Sequence, residues 1–219
     1  MIELVFAIVI IGIAVMSLPL VLTQTQNNNN FALRQEVILS IESKLAYILS
    51  YEWDSRTYDA NASIERVLDT NASTGANNAF YTNTIRRKGH INADNRRRLF
   101  DALTSPTTKA NFGMGGTTPQ DIDDFDGIPP ETKTITALDD FIFNLTLDTT
   151  VDYVSDAPIG GTNYTTSSTI SFVFPEATTN TITNIKMIKV TGTANGIDPI
   201  NMYAFSSNIG QSKITKRTW

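Results

Sequence analysis

The uncharged run at positions 4–21, LVFAIVIIGIAVMSLPLV, constrains this chain more than any other feature. It is close in length to the ~20 apolar residues with which a helix crosses the ~30 Å hydrocarbon core of a bilayer. A secretory signal peptide would carry a basic start, a shorter apolar stretch and a small-residue cleavage site. Here Met1, Ile2 and Glu3 come first, without Lys or Arg, and Thr23, Gln24 and the run Asn27 to Asn30 follow. The segment therefore reads as a retained membrane anchor, which places residues 1–53 apart from an ordinary polar domain at 54–219.

Glu3 stands at the edge of that run. A carboxylate there is costly to bury unless a cation meets it, and the free α-amino group of a neighbouring copy would serve. The string MIELVFAIVIIGI resembles the processed N-terminus of type IV pilins and type II secretion pseudopilins. In that family a glycine follows the glutamate nine residues on, and Glu3 and Gly12 keep that spacing; the usual proline would fall one residue after Pro19.

The resemblance implies an α+β lollipop, a long N-terminal helix packed on an antiparallel sheet, and a structural role without enzymatic activity. It implies a homopolymer whose contacts involve Glu3, Met1, Gly12 and Pro19, made for adhesion or motility. The subunit would wait in the inner membrane, be cut and methylated by a prepilin peptidase, and enter an extracellular pilus through the assembly machinery. A leader and two processed residues would then precede Met1. The alternative is a pseudopilin or minor pilin of a type II secretion or DNA-uptake system, and an anchored monomeric binding domain stands as a third reading. The family also implies unwinding between Gly12 and Pro19 as subunits pack; the residues themselves allow either that melting or a mild kink.

Beyond the Asn run, Leu33, Val37, Ile38, Ile41, Leu45, Ile48 and Leu49 recur at helical steps, opposite Gln35, Glu36, Glu42 and Ser43. This predicts an amphipathic helix to about residue 53, with Arg34 and Lys44 at the stripe's edge. Both halves together would make a rod of roughly 80 Å. Asn27 to Asn30 are its expected weak joint, because Asn side chains compete for backbone hydrogen bonds.

Residues 54–130 read as irregular, with one short helix at 94–103 capped by Asp94. Apolar alternation then takes over. Phe141, Phe143, Leu145, Leu147 and Val151 share one strand face, opposite Asn144, Thr146 and Asp148. Further strands are expected at 169–174, 182–193 and 200–206, joined by turns such as Asn195-Gly196 into an antiparallel meander.

Two charged segments are candidate sites. Asp121, Asp123, Asp124 and Asp126 crowd six positions before Gly127. This oxygen-rich loop suits either calcium or a solvated turn, and it lacks the glutamate that closes an EF-hand. The string is similar to one in mannose-sensitive haemagglutinin pilins. Arg86, Arg87, Lys88, Arg96, Arg97 and Arg98 oppose only Asp94 across residues 86–98, six positive charges against one negative, or +5. Such a patch would fit DNA, but the acidic loop of a neighbouring head is the simpler counterpart, and the whole chain's net charge of −5 argues against a general nucleic-acid binder.

Nothing points to catalysis. His90 is the sole histidine, there is no cysteine, and Gly113 to Gly116 lack the lysine and following helix of a phosphate loop. Asn61, Asn71, Asn144 and Asn163 begin glycosylation sequons, which chance also produces in a chain rich in Asn and Thr.

Overall fold

The computed structural model describes residues 2–59, 64–65, 67–68, 70, 81–83, 86–87, 105–113, 115–136, 142–156, 168–169, 171 and 177–209. A single helix, α1 (Ile2–Leu49), takes up 48 residues and extends about 72 Å at ~1.5 Å per residue. The strands β1 (Tyr58–Asp59), β2 (Ile64–Glu65), β3 (Tyr81–Asn83) and β4 (Arg86–Arg87) form two small hairpins. The main sheet follows: β5 (Glu131–Thr136), β6 (Ile142–Val154), β7 (Thr178–Thr179), β8 (Ile185–Ala194) and β9 (Ile200–Ser207). Its order is β5-β6-β8-β9, with β7 pairing β6 beyond the end of β5, and every pairing is antiparallel. The chain is thus α+β, a long helix with a five-stranded antiparallel sheet.

α1 runs unbroken through Gly12 and Pro19, in keeping with the continuous-helix alternative, whereas the weak joint expected at Asn27 to Asn30 is corrected, since the helix continues across it. Pro19 lacks the N–H that the Val15 carbonyl would accept, yet the helix continues past this single lost bond; nearby hydroxyls bond other carbonyls of the same turns, Ser17 Oγ donating to Ala14, Thr23 Oγ1 to Pro19 and Thr25 Oγ1 to Val21. Across the Asn run, propagation from helical turns on both sides needs no new nucleus, which offsets four weak formers. The helix also ends at Leu49, short of residue 53. Ser50 and Tyr51 close the last turn with bonds three residues back, to Tyr47 and Ile48.

Val37, Ile41, Leu45 and Ile48 pack against Leu145, Leu147 and Val151 of β6 and against Ile188 and Val190 of β8. Phe143, Leu145, Leu147 and Val151 are buried while Asn144 and Asp148 face out, as the period-two pattern requires. Ile38 and Leu49 are exposed despite their place in the apolar pattern, lying to the side of the buried line of Val37, Ile41, Leu45 and Ile48. Gly192 on β8 lets the helix come close: a Cβ there would lie 2.6 Å from Val37 Cγ1 and 2.9 Å from Ile41 Cδ1. Between β8 and β9, Gly196 takes φ of 86°, the left-handed turn conformation suited to glycine. A second cluster of Trp53, Leu68, Tyr153 and Ile182 lies beyond the helix end. The expected helix at 94–103 and almost all of the strand at 169–174 lie outside the described residues.

Candidate functional site

Among the described residues, nothing packs on the first half of α1. Every large apolar side chain from Ile2 to Leu22 is exposed, from 52% at Val9 to 84% at Met16. Each returns roughly 1.5–3 kcal/mol when fully buried, so a row of this length demands lipid or other helices around it. The helix is long and apolar enough to cross a membrane. Glu3 lies exposed in its first turn; Gly12 opens onto empty space; Pro19 sits within the helix. Met1 lies outside the described residues.

The acidic loop is built differently from a cation cage. Asp121 accepts the Ser55 N–H at 2.6 Å and the Asp124 N–H at 3.1 Å, and Asp124 accepts the Gln120 N–H at 2.7 Å. Asp126 accepts the Val151 N–H and pairs with Lys109 at 2.8 Å; Lys109 also reaches Asp152 at 2.8 Å. Burial opposes the charge on Lys109, but its bonds to Asp126 and Asp152 outweigh that and hold the ammonium above its ordinary pKa. Among the described residues, no group of three or more His, Cys, Asp or Glu side chains converges to hold a metal ion. The calcium expectation therefore finds no shared ligand set in this geometry, and two lysines bring the balancing charge.

The second of those lysines is the unexpected group. Lys186 is fully buried, with Nζ 2.6 Å from Asp123 Oδ1, 2.6 Å from the Trp53 carbonyl oxygen and 3.5 Å from Asp54 Oδ2. The Trp53, Phe112 and Tyr153 rings lie 4.2, 5.2 and 5.7 Å from the same nitrogen. Asp54 is fully buried as well, accepting backbone N–H groups of Arg56 at 2.9 Å and Thr107 at 2.7 Å. Burial pushes the Asp123 carboxyl up to about 7; Lys186 pulls against that shift, and Asp121 and Asp54 add to it. Burial likewise raises the Tyr153 hydroxyl, reinforced by Asp54, Asp123 and Asp121.

Sequence reasoning passed over Lys186, Asp54 and Trp53. A signal was present: Lys186 shares its strand face with Ile188, Val190 and Gly192, all turned toward the core. A lysine in phase with inward apolar residues announces either an end to the strand or a buried cation with partners.

Of the basic segment, Arg86 and Arg87 form β4, paired with β3 through Asn83↔Arg86 and Tyr81↔Arg87. Lys88, Arg96, Arg97, Arg98 and His90 lie outside the described residues. No protein-family model, no curated protein and no solved structure matches this chain.

Proposed function

We propose that this chain is the structural subunit of a type IV pilus-like filament, polymerising through the first half of α1. The observation that carries the reading is the pairing of a fully uncovered apolar helix with one carboxylate, Glu3, in its first turn. Packed side by side, such helices bury their apolar surfaces against one another and leave each glutamate in need of a cation. The α-amino group of an adjacent subunit meets that need once in each register, so the charge pair selects the axial step of the filament while apolar packing holds it. The layout of a helix followed by an antiparallel sheet supports the same reading, with the sheet carried on the outside. Before assembly the uncovered segment would rest in the inner membrane, and afterwards in the filament core outside the cell, where the heads face whatever surface the fibre adheres to or pulls on.

Electron microscopy of a sheared surface fraction, with mass spectrometry of its dominant subunit and N-terminus, tests this. Thin fibres built of this chain, beginning with a methylated residue shortly before Met1, are the expected result. The chain confined to membranes, without fibres, would favour the pseudopilin or anchored-domain reading instead.

A further inference from the structure

We infer that Lys186 and Asp123 become joined by an intramolecular amide bond, formed within the folded head without an added reagent, with Asp54 relaying a proton. The inference stands on the head domain alone and does not depend on filament assembly. Three observations carry it. The amine nitrogen lies 2.6 Å from Oδ1 of the acceptor carboxyl, both groups are buried, and they come from elements 63 residues apart that the fold holds in place. A second buried carboxylate, Asp54, stands 3.5 Å from the same nitrogen and is itself fixed by two backbone N–H groups. The rings of Trp53, Phe112 and Tyr153 wall the nitrogen, a setting in which two unlike charges are poorly solvated and a neutral product is favoured.

The step balances. The Lys186 ammonium passes one proton to the Asp123 carboxylate, leaving a neutral amine beside a neutral acid. The Nζ lone pair attacks Asp123 Cγ, forming the N–C bond. Asp54 takes a second proton from the nitrogen and delivers it to the departing oxygen, the C–O bond breaks, and one water leaves. The third hydrogen stays on the amide nitrogen, where the Trp53 carbonyl already accepts a hydrogen bond from it at 2.6 Å. No oxidant or cofactor enters. A cavity of about 350 Å3, lined by Ser55, Thr107, Asp121 and Asp123 among others, opens beside the acceptor and gives the water a way out. Holding the amine against the acceptor carboxyl, with Nζ 2.6 Å from Oδ1, leaves only a rotation of the carboxyl to bring Cγ to the lone pair, which makes an otherwise slow condensation feasible.

The bond would tie the acidic loop before β5 to β8 and close the intervening chain into a covalent ring. The test is the mass of the full chain, purified in detergent, kept folded and then denatured for measurement, with N-terminal processing read from the same spectra. The expected result is a mass one water below that of the sequence and, after proteolysis, a branched peptide joining Asp123 to Lys186. Lys186→Arg is expected to restore the full mass. Asp54→Asn, with its fold checked by near-ultraviolet circular dichroism, leaves both reacting groups present and is expected to slow or stop the loss of water. A folded wild-type chain that keeps its full mass on prolonged incubation overturns the inference, as does a missing water that maps elsewhere.

Discussion

Gly192 on β8 and Val37 on α1 approach so closely that a β-carbon on the glycine would stand 2.6 Å from Val37 Cγ1. Helix and sheet have no slack at that crossing, because Ile41 presses on the same spot at 2.9 Å. Gly192→Ala should therefore destabilise the head by ~1–3 kcal/mol through overpacking. Chemical denaturation read by tryptophan fluorescence measures this, and Gly192→Ala combined with Val37→Ala should recover part of the loss.

Ile41 is fully buried at the same contact. Ile41→Ala should cost ~2–5 kcal/mol, the range for removing most of a large core side chain. Ile11→Ala, in the uncovered half of the helix, should leave the unfolding midpoint of the head unchanged in detergent. Equal effects from the two would mean that the head does not fold around the second half of α1 alone.

Before any amide forms, Lys186 is the cation facing two buried carboxylates, Asp54 and Asp123, and Lys186→Met removes it. Leaving buried charges without their partner costs ~3–5 kcal/mol, so this variant should lie among the least stable single substitutions in the head. Thermal unfolding of the purified chain reads it directly.

Lys44 on α1 pairs with Glu131 on β5 at 2.9 Å. The Lys44 hydrogen bond holds the Glu131 carboxyl below its ordinary pKa, against a smaller opposing effect of burial. The folded chain thus keeps this carboxylate charged where the unfolded chain takes up a proton. Its contribution is complete above the ordinary carboxylate pKa and is lost as pH falls from there through the lowered folded value. Because the pair is partly exposed, Glu131→Gln should cost only ~0.2–1 kcal/mol at pH 7. The difference from wild type should vanish in acid and shrink in high salt, as paired denaturation curves would show.

Glu3→Ala should leave the head folded and stop or slow entry of the subunit into fibres. Fibre yield from sheared cells measures this, and an unchanged yield would contradict charge pairing at the helix start.

Much of the fold was legible because two periodicities are strong here. Val37, Ile41, Leu45 and Ile48 keep helical steps, and Phe143, Leu145, Leu147 and Val151 keep strand alternation; all eight are buried. The turn at Asn195-Gly196 was legible from residues that tolerate a left-handed backbone. The strand β5, of sequence ETKTIT, was not, since its residues carry little apolar alternation and it is held by backbone pairing along β6. The continuity of α1 across four asparagines was also hidden, because local propensity opposes it and cooperativity overrides it. Lys186 escaped for a related reason. Its partners Asp54 and Asp123 are distant in sequence, and a lone lysine in a strand normally means a solvent-facing position.

The uncovered and covered parts of α1 are separated by a polar stretch that includes Asn27 to Asn30. From Leu22, the last uncovered apolar residue before it, to Val37, the first fully buried one, the axis advances about 22 Å at ~1.5 Å per residue. The polar layer on each face of a bilayer is only ~5–8 Å deep. Leu33, half-buried against the same core, comes about 16 Å beyond Leu22 at ~1.5 Å per residue, so with the apolar half in lipid even this first contact of helix and head would stand clear of the headgroups, like a buoy on a stiff tether. Such a subunit could be drawn out of the bilayer or slid along a neighbour without any rearrangement of its sheet, so extraction would cost only what the bare stem loses on leaving lipid.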